Sequence, residues 1–173
     1  NYLVKNNILL NNMAICIDTK NYLKSLTKAK STNPHNLKNS RKNDDWSLMY
    51  TSGTTGKPKG VIRNHEGYYY LSSITSIELK IKKEDKALLV MPLCHANSFN
   101  FFCAYIFAGA SIYIYSKHSF NCQYFFKILK KHHCTFTSLV PTHFIIMLDH
   151  IKKYNKNNII KHKINFMISS APA

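Results

Sequence analysis

Residues 50–60 read Tyr-Thr-Ser-Gly-Thr-Thr-Gly-Lys-Pro-Lys-Gly and follow a short apolar run. The stretch combines four Ser or Thr hydroxyls with three glycines and two lysines. Glycines lack a Cβ atom, so backbone N–H groups can converge on an anion, while the hydroxyls add donors and lysine adds positive charge. We interpret the segment as a loop that binds polyphosphate. It is not the P-loop of the nucleoside triphosphatases, because Gly53 would require a second glycine where Pro58 stands.

Short apolar runs alternate with helical patterns beyond this loop. Asn64 is a suitable N-cap for a helix to about Glu78, and Glu66 suits the positive end of its dipole. Gly109 is expected to end a second helix, and Asn121 to cap a third. In chain order the sequence predicts strands at 46–50 and 60–62, a helix to 78, a strand at 87–91, a helix at 99–107, a strand at 111–115, a helix to 132, a strand at 135–140, a helix beginning at Pro141 and a strand at 164–168.

The predicted strands are continuous apolar runs, which indicates a sheet with both faces buried. Alternation of strand and helix at this spacing favours an α/β fold with a mainly parallel sheet covered by helices. In such sheets the ligand site lies at the carboxyl ends of the strands, which is where we expect residues 50–60 and the motifs described below to lie.

Residues 46–173 carry this pattern and are expected to form one incomplete domain. Residues 27–45 are polar and rich in Lys, Asn and Ser, which predicts a surface linker, and residues 1–26 are expected to end a preceding layer. The chain starts at Asn1 without an initiator methionine and stops at Ala173 directly after an apolar run. We therefore expect both ends to be cuts through a larger protein.

The net charge of +16 raises nucleic acid as a partner, but the composition of that charge argues against it. Only Arg41 and Arg63 among the 24 basic residues are arginine, whereas base readout and phosphate clamps favour the guanidinium fork. Lysine is mixed with asparagine and isoleucine throughout, as in genes of low GC content. No nucleic-acid partner is expected.

Five widely spaced cysteines without a Cys-x-x-Cys pair favour a reducing compartment over a zinc or disulfide framework. His132 and His133 precede a cysteine, but neighbouring side chains on a helix point about 100° apart and do not easily share a metal ion. The longest apolar stretch, residues 99–115, is interrupted by polar and glycine residues and is shorter than the about 20 residues of a transmembrane helix. We expect a cytoplasmic protein without a transmembrane segment and leave peripheral membrane association open.

The stretch at 50–60 resembles, at nearly every position, the signature Thr-Ser-Gly-Thr-Thr-Gly-x-Pro-Lys-Gly of the adenylate-forming superfamily. This superfamily contains acyl-CoA synthetases, luciferases and the adenylation domains of peptide synthetases. Composition alone would also suit an ordinary polar turn, but a fixed string of this length is far more specific. The resemblance continues at residues 60–65, at the Pro-Leu-x-His motif of 92–95, at the Val-Pro-Thr motif of 140–142 and at the Ser-Ala-Pro turn of 170–172. It implies part of the N-terminal domain of an adenylate-forming enzyme, truncated at its carboxyl end.

The resemblance also implies a role for each loop residue. In the family, the loop wraps the β- and γ-phosphates of ATP while the substrate carboxylate attacks the α-phosphorus. Thr51 is the candidate Mg²⁺ ligand, and Lys59 is expected to offset charge on the leaving group during catalysis. Lys57 occupies the variable position of the signature. The implied phosphate-binding residues are Thr51, Ser52, Gly53, Thr54, Thr55, Gly56 and Lys59.

Three further residues are candidates for substrate binding. His95 resembles the family histidine that borders the substrate carboxylate and the α-phosphate, and it is also a candidate catalytic residue. A lone histidine is more often structural, but His95 closely follows a predicted buried strand and Pro92, which favours a functional role. Phe99 matches an aromatic gate of long-chain family members and suits a core position equally well. Ala171 lies in the turn that lines the acyl-adenylate in the family.

Within the superfamily the motifs favour an acyl-CoA synthetase. Peptide-synthetase adenylation domains resemble Thr-Ser-Gly-Ser-Thr-Gly and carry a Phe-Asp-x-Ser segment, whereas this chain has Thr54 and the histidine motif at 92–95. The resemblance implies ATP-dependent activation of a carboxylic acid, of the fatty-acid type, to acyl-AMP, followed by transfer to coenzyme A.

Two alternatives stay open. One is another adenylate-former that activates an aryl or amino acid, and the other is a catalytically silent basic binding module. The second is raised because residues 1–173 contain no Tyr-Gly-x-Thr-Glu motif, no ribose-binding aspartate and no C-terminal adenylation lysine of the family. The chain alone is therefore expected to be inactive.

Overall fold

A computed structural model of the protein describes residues 20–28, 40–51, 58–154 and 163–168. The chain divides into two compact units, residues 1–40 and 41–173. In the first unit, helix α1 spans Lys20–Lys28 and extends two residues into the segment predicted as a linker. Residues 29–39 of that segment lie outside the described residues, so the predicted domain boundaries stay predictions.

The second unit alternates strands and helices. Its elements are β1 (Asp45–Thr51), β2 (Lys59–Asn64), α2 (His65–Glu78), β3 (Lys86–Leu89), α3 (Ala96–Phe107), β4 (Ser111–Ile114), α4 (Cys122–Lys131), β5 (Phe136–Leu139), α5 (Pro141–Tyr154) and β6 (Asn165–Ile168). Strands β3 to β6 form a parallel sheet in the order β4-β3-β5-β6. The predicted α/β class with a mainly parallel sheet is confirmed.

Strands β1 and β2 lie outside the parallel sheet, and residues 52–57 between them lie outside the described residues, so the expected position of the loop at the carboxyl edge stays a prediction. The two strands form a separate two-stranded antiparallel sheet, so the predicted phosphate loop connects the strands of a hairpin. Only Ser47 and Met49 of β1 are half-buried, whereas its other residues are exposed. This alternation is typical of a strand with one covered face, unlike the continuous burial of β5 in the parallel sheet.

Both faces of the parallel sheet are covered by hydrophobic clusters. Leu88 in β3 packs into a cluster with Phe125 and Leu129 of α4, whereas its neighbour Leu89 packs with Phe101 of α3 in a second cluster. Each fully buried side chain of this kind contributes about 1.5–3 kcal/mol of transfer free energy. The helices therefore fix the central strands from both sides, as the apolar runs predict.

The predicted bounds of α2 and α4 and the predicted end of α3 agree with the structure within one residue. The Asn64 side-chain oxygen accepts a hydrogen bond from the backbone N–H of Gly67 at 2.8 Å, and Asn121 caps α4 through Tyr124 at 2.8 Å. Gly109 adopts a φ of +69°, the left-handed conformation that glycine enters without steric cost after a helix. The apolar stretch of residues 99–115 is divided between α3 and β4, and no helix in the described ranges is long and apolar enough to cross a bilayer.

Candidate functional site

The β1–β2 hairpin holds the two ends of the predicted phosphate loop. Tyr50 pairs with Gly60 and Thr51 with Lys59 in its register. The Thr51 hydroxyl donates a hydrogen bond to the carbonyl oxygen of Lys59 at 3.4 Å, and both residues are exposed. The structure thus brings Thr51 and Lys59 together where the loop begins and ends. The other predicted site residues of the loop and the acyl turn lie outside the described residues: Ser52, Gly53, Thr54, Thr55, Gly56 and Ala171.

A cavity of about 450 Å³ lies between β1 and the segment that follows β3. His95 and Phe99 line it from the segment after β3, and residues 47–50 line it from β1, the strand that leads into the predicted loop. The structure therefore brings His95 and Phe99 to the strand that carries Thr51. The lining residues are Ser47, Leu48, Met49, Tyr50, Leu93, Cys94, His95 and Phe99.

Side-chain hydrogen bonds hold the start of α3 against the carboxyl edge of the parallel sheet. The Ser98 hydroxyl donates to the carbonyl oxygen of Met91 at 2.7 Å, and the Ser138 hydroxyl of β5 donates to the side-chain oxygen of Asn97 at 2.8 Å. These contacts explain why α3 begins at Ala96, three residues before its predicted start. The Pro-Leu-x-His motif consequently lies at the carboxyl edge, as predicted.

His95 occupies the N-cap position of α3 with an extended backbone, φ −88° and ψ 136°. Its side chain makes no capping hydrogen bond and is exposed, unlike the capping side chain of Asn64. The imidazole is therefore available to a ligand in the cavity.

Aromatic contacts join the hairpin to α3 through α2. The Tyr68 hydroxyl donates to the sulfur of Met49 at 3.4 Å, and the Tyr68 ring meets the edge of Phe99 at 5.3 Å between centroids. Phe99 also stacks on Phe102 at 6.3 Å. Aromatic pairs of this geometry contribute about 0.5–1.5 kcal/mol beyond burial. Phe99 is thus both a cavity wall and a half-buried packing residue, and its role as an aromatic gate stays a prediction.

The cavity combines a mostly apolar wall with the exposed imidazole of His95. Among the described residues that line it, none is acidic, and most present apolar side chains. A carboxylate entering it meets no like charge from these residues, while an apolar chain can pack on Met49 and Phe99.

The Val-Pro-Thr motif also lies at the carboxyl edge of the sheet. Pro141 is the first residue of α5, which begins two residues after β5 ends at Leu139. His143, in the first turn of α5, stacks on the Phe120 ring at 4.4 Å, and its buried Nδ1 has no hydrogen-bond partner among the described residues. Burial lowers the pKa of His143 below its ordinary value, which favours the neutral imidazole.

Sequence reasoning missed several residues that line the cavity, including Ser47, Met49 and Cys94. The Ser47 hydroxyl is buried without a hydrogen-bond partner in the described part of the chain, and the Cys94 side chain is exposed. The sequence of β1 does not distinguish Ser47 and Met49 as the covered residues, because the alternate positions Trp46, Leu48 and Tyr50 are apolar or aromatic and yet exposed.

The described residues include no group of three or more His, Cys, Asp or Glu side chains arranged to hold a metal ion. The candidate Mg²⁺ ligand is instead the exposed Thr51 hydroxyl, a hard oxygen ligand of the type that Mg²⁺ takes together with phosphate oxygens. Thr51 therefore fits a metal held mainly by a bound phosphate.

Comparison with known proteins agrees with the motifs. A family model described as AMP-binding enzyme matches residues 6–172. The medium/long-chain-fatty-acid–CoA ligase FadD8 of Mycobacterium tuberculosis is 32% identical over 110 residues, which cover 64% of this chain and 19% of the relative. The chain spans about a fifth of the length of the curated relatives it matches.

Two solved structures share the fold. The inhibitor-bound N-terminal domain of FACL13 from Mycobacterium tuberculosis has a TM-score of 0.77 at 21% identity and covers 89% of this chain and 37% of that chain. The O-succinylbenzoate coenzyme A synthetase of Bacillus subtilis, in complex with ATP and magnesium ion, has a TM-score of 0.65 at 25% identity and covers 78% of this chain and 27% of that chain. Because the family model covers nearly the whole sequence and the fold agrees, this chain belongs to the AMP-binding enzyme family, the adenylate-forming superfamily that its motifs indicate.

Proposed function

We propose that the protein containing this chain is an acid–CoA ligase that activates a carboxylic acid with an apolar body as its acyl-adenylate and transfers it to coenzyme A. The observation that carries the proposal is the cavity that residues 47–50 of β1 form with His95 and Phe99. Strand β1 ends at Thr51, the first residue of the predicted phosphate loop. The strand therefore contributes residues 47–50 to this cavity and leads into the stretch that matches the family signature, which supports the proposal.

In this proposal the hairpin binds the phosphates of ATP. Lys59 offsets the negative charge that develops on the pyrophosphate leaving group, and backbone N–H groups of the loop add donors. Bound Mg²⁺ would neutralise further phosphate charge, with the Thr51 hydroxyl as one ligand. The complex of the Bacillus subtilis synthetase with ATP and magnesium ion supports this assignment by similarity.

His95 orients the substrate carboxylate, and the apolar wall holds the rest of the acid. The imidazole makes no cap hydrogen bond, so it is available to a carboxylate oxygen. Met49 and Phe99 pack on the apolar body, and Tyr68 fixes both through its hydroxyl and its ring. Orientation of the carboxylate toward the α-phosphorus lowers the entropic part of the barrier.

Two kinds of acid are supported by the relatives. FadD8 is named for medium- and long-chain fatty acids, whereas the Bacillus subtilis synthetase is named for O-succinylbenzoate. The apolar lining of the cavity favours a fatty acid, because an additional carboxylate of the substrate would have to be desolvated against Met49 and Phe99.

The test is thioester formation by the purified full-length protein with ATP, Mg²⁺, coenzyme A and a panel of acids. We expect acyl-CoA from fatty acids of at least one chain length, detected by mass spectrometry. Products from aryl acids alone would correct the substrate class, and activation of amino acids without thioester formation would contradict CoA ligation.

A further inference from the structure

A second cavity, of about 560 Å³, lies at the amino edge of the parallel sheet. Lys80 and Lys82 line it from the loop between α2 and β3, and Thr135 and Asn165 line it from the starts of β5 and β6. Because the strands are parallel, this edge is opposite the one that carries the Pro-Leu-x-His and Val-Pro-Thr motifs. The proposed CoA-ligase function uses none of these residues.

Asp85 builds the wall of this cavity. Its carboxylate accepts a hydrogen bond from the Thr135 hydroxyl at 2.8 Å and another from the backbone N–H of Lys82 at 2.8 Å. The backbone N–H of Lys86 in turn donates to the Thr135 hydroxyl oxygen at 3.1 Å. Both carboxylate oxygens are therefore engaged within the wall, and the loop that carries Lys82 is fixed to β5.

Three lysines surround the cavity, namely Lys80, Lys82 and Lys163, and two carboxylates, Glu78 and Asp85, partly balance them. Within the described part of the chain, none of the three ammonium groups makes an ion pair. Three like charges held around one cavity repel one another, and a bound anion relieves that repulsion.

Lys80 adds a conformational argument. It lies one residue beyond the C-cap of α2 with a φ of +50°, in the left-handed region where glycine is the usual residue. Its N–H donates to the carbonyl oxygen of Ile77, and the N–H of Ile81 donates to that of Ser76, as in a Schellman motif. Glycine would form the motif at lower strain, so replacement of Lys80 by glycine is expected to relieve the left-handed backbone.

The negative end of the α2 dipole alone would favour a lysine near Glu78. It does not account for Lys163, which reaches the same cavity from the segment before β6. Lysines from two separate segments therefore line one cavity beside the Asn165 side chain, and these groups are the donors that a bound anion requires.

We propose that this cavity binds a small phosphate-bearing anion, either free phosphate or pyrophosphate or the phosphate monoester of a metabolite. The ammonium groups of Lys80, Lys82 and Lys163 neutralise the anion, and Asn165 donates a hydrogen bond to it. The site is separate from the phosphate loop of residues 51–59, and its existence does not depend on the proposed ligase activity.

Calorimetric titration of the full-length protein, at low salt and without Mg²⁺, tests the proposal with pyrophosphate and with glycerol phosphate as probes. We expect Lys82→Gln and Lys163→Gln each to weaken binding at least fivefold, whereas Lys83→Gln is the matched control, since Lys83 is exposed on the same loop but does not line the cavity. Lys80→Gly should weaken binding and raise the melting temperature, because glycine removes the charge and relieves the left-handed backbone.

The two probes separate the sources of the phosphate group, since preferential binding of glycerol phosphate indicates a metabolite ester and preferential binding of pyrophosphate indicates the free anion. Equal weakening by Lys82→Gln and Lys83→Gln would reduce the effect to general surface charge and overturn the proposal. Binding that is lost on Lys59→Ala but unchanged by Lys82→Gln would place the anion at the phosphate loop and overturn it as well. No binding of either probe at millimolar concentration has the same consequence.

Discussion

Replacement of Lys59 by alanine separates the chemistry of the phosphate loop from the stability of the hairpin. The Lys59 side chain is exposed, and the hydrogen bond from Thr51 ends on the backbone carbonyl of residue 59, which alanine retains. The register of β1 and β2 should therefore survive, with a stability change within about 0.5 kcal/mol, as for other surface substitutions.

The same substitution removes a positioned charge from the pyrophosphate leaving group. Removing one positioned donor from a developing oxyanion costs about 2.7–4 kcal/mol, or 10²- to 10³-fold in rate. Lys57→Ala is the matched control, because Lys57 occupies the variable position of the signature, so its loss is expected to cost well under about 1 kcal/mol.

Acid-dependent release of pyrophosphate measures the adenylation rate, and thermal unfolding checks the fold of each variant. We expect a loss of at least 100-fold for Lys59→Ala and less than about fivefold for Lys57→Ala at unchanged melting temperature. Equal losses in the two variants would show that general positive charge near the loop is sufficient, which would refute the reasoning.

Three further predictions concern the fold and the groups near the site. Phe125→Ala should lower the free energy of unfolding in urea by about 3–5 kcal/mol, because this fully buried ring leaves a cavity, and a loss below about 1 kcal/mol would contradict its burial. Burial lowers the pKa of His143 in the folded state, so the unfolded state binds more protons than the folded state below about pH 6.5. The free energy of unfolding of the wild type should therefore fall between about pH 7 and 5 more steeply than that of His143→Phe. Parallel pH profiles would contradict this linkage. Exposed Cys94 should react with a thiol reagent at about pH 8 in the native protein. Burial raises the pKa of Cys134 to about 11, so this thiol should react only on unfolding. Equal reaction rates of the two thiols in the native protein would contradict their placement.

Local signals in the sequence predicted most of the fold. Asn64, Asn121 and Gly109 mark helix ends through interactions with neighbouring backbone groups, and these interactions depend on a few adjacent residues. The burial of β3 on both faces follows from its apolar run Ala87–Leu89. Strand β5 is equally buried although Thr137 and Ser138 are polar, because their hydroxyls donate to the carbonyl oxygen of Leu88 and to Asn97. The pairing of β1 with β2 was missed, because the intervening string was interpreted by its ligand chemistry and not as the turn of a hairpin.

The candidate site was predictable only where a motif marked it. His95 was identified through the Pro-Leu-x-His motif and Phe99 through its match to the aromatic gate of the family, and both side chains line one cavity. Ser47 and Met49 were missed, because their approach to residues more than forty positions away depends on tertiary packing through Tyr68. The roles of Ser52 to Gly56 and of Ala171 stay predictions.

Isotope exchange between labelled pyrophosphate and ATP tests the central claim most directly, since it reports reversible formation of an acyl-adenylate without requiring coenzyme A. The full-length protein is predicted to catalyse exchange only when a carboxylic acid is supplied, and most rapidly with fatty acids. Lys59→Ala should abolish most of this exchange. Exchange that proceeds equally without any acid, or no exchange with any acid in a folded protein that binds ATP, would contradict the assignment of this chain to an active acid-activating enzyme.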